Sequence, residues 1–179
     1  VSSLDADNLF CSDAIQTMVD TFANDEISAA AYGSCNIIDE KGKIIDEFSP
    51  NDFDFIKIMS CCLVPPWSTA FFKREFLLGN VYFDPNLKTC ADFSAWLQLG
   101  KFKVKRVGKI IGSTRKSGKS MSCGVENYDQ FCSDKKSALA SFLKKEFDPH
   151  FEELLQNFGY AGIHAWAAGA VSAAKPGAG

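Results

Sequence analysis

The stretch Val1-Ser2-Ser3-Leu4-Asp5-Ala6-Asp7-Asn8-Leu9-Phe10 decides how the rest of the chain is interpreted. A short apolar run ends in two aspartates one residue apart, and a helix-start signal follows at Ser12-Asp13. If the first residues form a strand, the side chains at i and i+2 lie on the same side of it. The sequence therefore predicts that Asp5 and Asp7 converge on one hard cation, Mg²⁺ or Mn²⁺, which carboxylates and substrate phosphates hold together.

A simpler interpretation is that Asp5 and Asp7 are loop residues that cap the next helix. Acidic residues are common at helix starts because they accept hydrogen bonds from free main-chain amides and interact favourably with the helix dipole. Spacing alone does not separate these two interpretations. An EF-hand loop is excluded, because the glycine that its sixth position requires would fall on Phe10.

Five motifs between residues 1 and 122 occur in an order that resembles the second half of a family 2 glycosyltransferase. They are Leu4-Asp5-Ala6-Asp7-Asn8, the hairpin region from Ala31 to Phe48, and the segments Trp67 to Arg74, Asp92 to Leu97 and Arg115 to Ser122. The resemblance implies an α/β structure, a partial GT-A fold with a mixed sheet in which a strand ends in an Asp-x-Asp motif. It also implies a nucleotide-binding first half, so we expect this chain to be a fragment of a longer enzyme.

The resemblance further implies roles for individual residues. Asp7 would hold the metal ion, and Asp5 would contact the metal ion or the nucleotide-diphospho-sugar donor. Arg115 or Lys116 would stabilise the leaving diphosphate. Asp92 matches the aspartate that the family uses as general base on the hydroxyl of a saccharide or other acceptor.

Some of these roles have alternatives. Trp67 would be a stacking platform for the acceptor sugar, but a core tryptophan is an equally good interpretation. Asp92 also suits the first turn of a helix as a dipole-favourable acid, and Ala91 precedes it where the family often has glutamate. The family usually has a histidine shortly after the arginine, whereas no histidine occurs between residues 1 and 149.

Composition and charge favour some classes of protein over others. A net charge of −3 does not favour a nucleic-acid binder. Residues 101–120 are nevertheless basic and contain no acid. Part of this charge is expected on the solvent face of a sheet, and the rest in a loop from Arg115 to Ser120 suited to a diphosphate. That loop is not a P-loop, because five residues separate Gly112 from Gly118 where the motif has four.

Cysteine usage and hydropathy bear on the cellular location. The seven cysteines include no C-x-x-C pair, which favours buried free thiols in a reducing compartment. No signal-peptide pattern is visible. The uncharged run from Phe158 to Ala174 is shorter than the ~20 strongly apolar residues of a membrane span. We therefore expect a cytoplasmic protein without a transmembrane segment, either free or at the inner face of a membrane.

The periodicity predicts most of the helices and strands. The predictions are a strand over residues 1–4, a helix with Ile15, Met18, Val19 and Phe22 on its buried face, strands over 27–38 and 44–48 joined by a turn at 39–43, a helix over 89–99, and strands within 102–111. Residues 123–179 are expected to form a helical extension of the domain at 1–122. In it, Ser133-Asp134 would cap one helix, Asp148-Pro149 would start another, and Gly159 would end the second.

The sequence leaves more than one function open. The leading hypothesis is a metal-assisted, inverting glycosyltransferase module that requires its first half. The alternative is a non-catalytic remnant that acts as a binding module, in which the sheet edge left by the absent strands promotes a homo-oligomer. A third and weaker hypothesis, RNA or phospholipid binding by the basic loop, is opposed by the net acidity and by the lack of stacking aromatics in that loop.

Overall fold

The protein is an α/β structure with a mixed sheet, described here by a computed structural model for residues 1–61, 63–116 and 128–174. The strands are β1 (Leu9–Phe10), β2 (Ala30–Ile38), β3 (Ile44–Phe48), β4 (Phe71–Phe72) and β5 (Val104–Arg115). The helices are α1 (Ala14–Ala23), α2 (Phe55–Cys61), α3 (Arg74–Asn80), α4 (Ala91–Leu99), α5 (Tyr128–Glu146) and α6 (Pro149–Ala174), with a 3-10 turn at Trp67–Thr69.

The chain divides into two compact units, each assembled from separated segments. The first comprises Val1–Asp54, Pro65–Val81 and Leu99–Ser117, and it contains the whole sheet. The second contains α2, α5, α6 and nearly all of α4. The expected boundary at residues 122 and 123 lies outside the described residues and stays a prediction, as does a GT-A assignment of the fold.

The sheet has the order β1-β5-β2-β3, and β4 pairs with β2 beside β3. Among the described strands, β2 and β5 form the parallel pair, and the other pairs are antiparallel. The predicted hairpin is confirmed: the amide of Asp39 donates to the carbonyl of Lys43 at 2.9 Å, and Gly42 has a φ of 87°. Strand β2 is largely buried in the middle of the sheet, whereas all five residues of β3 are exposed at its edge.

The predicted strand over residues 1–4 is wrong in its extent. Val1 and Phe72 do exchange main-chain hydrogen bonds of 2.7 and 2.8 Å. The chain then forms a turn, in which the amide of Asn8 donates to the carbonyl of Asp5 at 3.0 Å, and assigned strand structure begins only at Leu9. The reason is that the ladder with β5 starts at Leu9, opposite Ser113. Asp5 and Asp7 therefore belong to a turn rather than to one face of a strand.

The buried face of α1 is rotated from the predicted one. Ala14 and Met18 are buried against the sheet and Phe22 packs partly against them, whereas Ile15 and Val19 are 63% and 55% exposed. The small Ala14 side chain allows the helix to approach the sheet closely. The hydrophobic spacing did not identify Ala14 as a buried residue. The helix is therefore correctly predicted, but its orientation on the sheet is not.

The sequence predicted that Asp134 caps its own helix, and this prediction is wrong. Asp134 lies in the second turn of α5 and is 4% exposed, and its Oδ2 accepts hydrogen bonds from the amides of Lys88 and Thr89 at 2.8 and 2.9 Å. Those amides precede α4 and have no helical partners of their own there, so a buried carboxylate satisfies them. Burial raises the pKa of Asp134, but hydrogen bonds from Gln130 and Thr89 outweigh this effect and lower it.

Helix α6 starts after Asp148 as predicted, but it continues through Gly159 instead of ending there. Gly159 is buried, and a Cβ atom on it would overlap the Leu139 side chain of α5 and lie 3.2 Å from the Met59 carbonyl of α2. The glycine therefore permits close helix packing rather than a helix end. Further along, the ammonium group of Lys135 lies 3.4 Å from the ring centroid of Trp166. This cation–π contact joins α5 to α6.

No helix among the described residues is long and apolar enough to cross a membrane.

Replacing Gly159 with alanine should lower the free energy of unfolding by about 1–3 kcal/mol, because the added methyl group overfills a packed contact. The matched control is Gly79→Ala in α3, where a Cβ atom meets nothing within 4 Å. That change should leave stability unchanged or raise it by up to about 1 kcal/mol through helix propensity. Urea denaturation of the two variants measures the difference, and equal effects would contradict the packing role.

Candidate functional site

The candidate site is the turn Asp5–Asn8 where it meets the end of β5. The buried side chain of Asn8 links the two segments, because its Nδ2 donates to Asp5 Oδ2 at 3.1 Å and its Oδ1 accepts from the Arg115 amide at 3.0 Å. Asp5, Asp7 and Arg115, three residues selected from the sequence, are thus brought together. The motifs in the sequence did not identify Asn8 as a site residue. The signal that could have done so is a polar side chain directly before the apolar pair Leu9–Phe10.

The guanidinium group of Arg115 binds main-chain carbonyls rather than carboxylates. Its Nε donates to the carbonyl of Asp7 at 3.1 Å, and its Nη1 donates to those of Asp39 and Glu40 at 2.7 and 3.1 Å. A planar fork of donors suits three acceptors in fixed positions, which a lysine could not match. Arg115 therefore joins the Asp5–Asn8 turn to the β2–β3 hairpin, a role that the sequence did not predict.

The two carboxylates of the turn remain accessible to a ligand. Both Asp5 and Asp7 are exposed. Within the described part of the chain, the only hydrogen bond to either carboxylate is the one from Asn8 to Asp5 Oδ2. The described residues contain no group of three or more histidines, cysteines or acids placed to hold a metal ion. Carboxylate oxygens are the ligands that Mg²⁺ and Mn²⁺ prefer, and a metal ion at Asp5 and Asp7 stays a prediction.

The other predicted residues lie in different surroundings. The Lys116 amide donates to the carbonyl of Ile38 at 2.9 Å, and its side chain is exposed. Residues 117–120 of the expected diphosphate loop are outside the described residues. Trp67 is half-buried in the 3-10 turn, with its ring centroid 5.0 Å from that of Phe72. This is a packing contact, and the acceptor-platform role of Trp67 stays a prediction.

Asp92 lies in the first turn of α4, as predicted, and belongs to the second unit. Its Oδ1 accepts a hydrogen bond from the amide of Phe93 at 2.8 Å. This contact suits an acid at a helix start, because the first amides of a helix have no acceptor within it. A role as general base stays a prediction.

Acidic side chains form ion pairs with the lysines in β5 and just before it. Asp25 follows α1, and its side chain, 7% exposed, lies 2.9 and 3.5 Å from the ammonium groups of Lys103 and Lys105. Further along the strand, Lys109 lies 3.8 Å from Asp13. A hydrogen bond from Lys103 lowers the pKa of Asp25 to about 2, although burial acts in the opposite direction. These lysines therefore serve local ion pairs, as expected for the solvent face of a sheet.

Comparison with known proteins adds no family to this description. No protein-family model matches the chain, and no curated protein is significantly similar to it. The resemblance to family 2 glycosyltransferases thus depends on the motifs quoted above.

Asp25 should make the protein sensitive to acid. Its pKa is lowered from about 3.9 in an unfolded chain to about 2 in the fold. Its contribution to stability is therefore complete above about pH 5 and is lost progressively as the pH falls through 4 towards 2. Urea denaturation between pH 7 and pH 2 should give a shallower loss of stability for Asp25→Asn than for the unsubstituted chain.

The control for this experiment is Asp20→Asn on α1, an exposed aspartate that accepts from Gln16 rather than from a lysine. Its stability profile should parallel that of the unsubstituted chain. Identical acid profiles for Asp25→Asn and the unsubstituted chain would contradict the role of the Lys103 contact.

Proposed function

We propose that the chain is a module of an inverting glycosyltransferase that transfers a sugar from a nucleotide-diphospho-sugar to a hydroxyl acceptor. The observation that supports this most is the pair of exposed carboxylates, Asp5 and Asp7, in a turn held against the end of β5. Hard oxygen donors at the end of a central strand are suited to a metal-diphosphate site. The order of motifs in residues 1–122 indicates that the chemistry expected at this site is sugar transfer.

In this proposal Asp7 and Asp5 hold Mg²⁺ or Mn²⁺, which would stabilise the negative charge that develops on the leaving diphosphate. The exposed ammonium group of Lys116 would neutralise the same diphosphate. Arg115 would contribute through Nη2, since none of the residues that the structure describes accepts a hydrogen bond from that atom. Of the two basic residues, Lys116 is the better candidate for direct contact, because most donors of Arg115 are engaged.

Asp92 is the proposed general base. A carboxylate takes the proton from the acceptor hydroxyl as the oxygen attacks the sugar carbon, opposite the departing diphosphate, and the configuration at that carbon inverts. Asp92 is held at the start of α4 by its contact with Phe93. Trp67 would offer its ring to the acceptor sugar, since an aromatic face binds apolar sugar surfaces.

A second candidate function is a non-catalytic binding module. The observation that favours it is the use of Arg115 as a main-chain clamp, which leaves little of the guanidinium group for a diphosphate. In that case the Asp5–Asn8 turn would bind a cation or a partner without transferring a sugar. The two functions differ in nucleotide binding and turnover, which the following experiments measure.

Uridine diphosphate should bind the chain more tightly when Mn²⁺ is present. Calorimetric titration should show this Mn²⁺-dependent binding weakened at least about tenfold by Asp7→Ala, since a direct metal ligand is lost. The control is Asp20→Ala, an exposed aspartate on α1, which should bind like the unsubstituted chain. Absence of binding at millimolar ligand, or binding that Mn²⁺ does not affect, would contradict the donor site.

Asp92→Asn should slow the release of nucleoside diphosphate from a nucleotide-sugar at least about a hundredfold while donor binding is kept, because general base catalysis contributes this much or more. Asparagine retains an oxygen that can accept from the Phe93 amide, so the helix start should persist. The control is Asp129→Asn, an exposed acid in the first turn of α5. Unchanged turnover in Asp92→Asn would exclude its role as base.

A further inference from the structure

Strand β3 is an edge strand that exposes apolar side chains on both faces of the sheet. All five of its residues are exposed. Its large apolar side chains remain 58%, 53% and 45% accessible in Ile44, Ile45 and Phe48. Because successive side chains of a strand point to opposite faces, the described residues cover neither face of β3. An exposed apolar edge of this kind is a place where another strand adds to a sheet.

The outer main chain of β3 is also open. On its inner side β3 pairs with β2, from Phe48 opposite Cys35 to Ile44 opposite Ile38, and none of the described strands pairs with its outer side. The amide of Glu47 donates to Oδ1 of the preceding residue, Asp46, at 2.8 Å. Alternate residues of an antiparallel strand direct their amides away from the neighbouring strand. A local side-chain acceptor therefore satisfies this edge amide, and a strand paired there would offer it a carbonyl instead.

The order of charges along β3 selects the strand that fits. Lys41 and Lys43 precede the strand, Asp46 and Glu47 lie near its end, and all four are exposed. When two copies of β3 pair in the antiparallel direction, the basic start of each strand lies beside the acidic end of the other. A two-fold axis at Ile45 places Lys43 of each copy opposite Glu47 of the other. Opposite charges across an antiparallel pair are stabilising, whereas a parallel pair would bring like charges together.

We propose that β3 pairs with the β3 strand of a second copy of this chain, antiparallel about a two-fold axis, so that the two sheets become one. This inference depends neither on sugar transfer nor on a metal ion. The assembly closes at two copies, because the same edge is used on both sides of the axis. A pairing of five residues per copy is small beside stable interfaces, which bury about 1,200 Å² or more. We therefore expect a weak and reversible dimer.

Sedimentation equilibrium over a wide concentration range should show this dimer, and charge reversal tests its geometry. Lys43→Glu places like charges opposite each other in both symmetry-related pairs, so it should weaken dimerisation at least about tenfold. Glu47→Lys should have the same effect for the same reason. The double variant Lys43→Glu/Glu47→Lys restores opposite charges in exchanged positions and should return the Kd to within about threefold of the unsubstituted value.

The matched control is Lys144→Glu, the same charge change at an exposed position of α5, which should dimerise like the unsubstituted chain. Hydrogen exchange gives a second readout: the Glu47 amide should exchange more slowly at high than at low protein concentration, because it then donates to the other copy. Thermal unfolding midpoints of the variants check that each is folded.

Three results would overturn the proposal. A chain that stays monomeric at every concentration leaves the β3 edge to an extended segment of a different protein. A dimer that Lys43→Glu weakens no more than Lys144→Glu does forms through another surface. If both single variants weaken the dimer and the double variant does not restore it, the antiparallel pairing of Lys43 with Glu47 is wrong.

Discussion

The parallel pairing of β2 with β5 is the constraint on which the candidate site depends. Its register places Ile38, the last residue of β2, beside Arg115, the last residue of β5. The chain leaves β2 directly into the hairpin turn, so the carbonyls of Asp39 and Glu40 come within reach of the Arg115 guanidinium group. Because parallel strands end at the same edge of a sheet, segments distant in sequence meet there. The Asp5–Asn8 turn is the third segment at that edge.

The charges of the first unit are arranged so that the basic strand and the acidic turn do not neutralise one another. Lys103, just before β5, and Lys105 pair with Asp25, and Lys109 of β5 pairs with Asp13; these two acids flank α1. Within the described part of the chain, Arg115, beside the acidic turn, donates to carbonyl groups instead of to Asp5 or Asp7. Among the described residues, no cationic side chain pairs with the exposed carboxylates of Asp5 and Asp7, which is the physical basis for proposing a cation there.

Local sequence signals correctly predicted the elements that contacts between residues close in sequence determine. The β2–β3 hairpin follows from Asp39, which accepts from amides two and four residues ahead, and from Gly42, whose positive φ suits glycine. The start of α6 after Asp148 is of the same kind. The predictions for Asp134 and Gly159 were wrong for one shared reason. Each residue type has a familiar local use, at a helix start or a helix end, and here each serves a contact with another part of the chain.

The sequence by itself determined the α/β class, the hairpin, most helices and three of the residues that meet at the candidate site: Asp5, Asp7 and Arg115. These follow from periodicity, turn chemistry and the order of motifs, which act over a few residues. Only the tertiary structure decided that α1 buries Ala14 rather than Ile15, that Asn8 bridges Asp5 to β5, and that Arg115 clamps the acidic turn. The physical reason is that a hydrogen bond or a close contact between distant segments depends on strand register and helix orientation, which no local pattern contains.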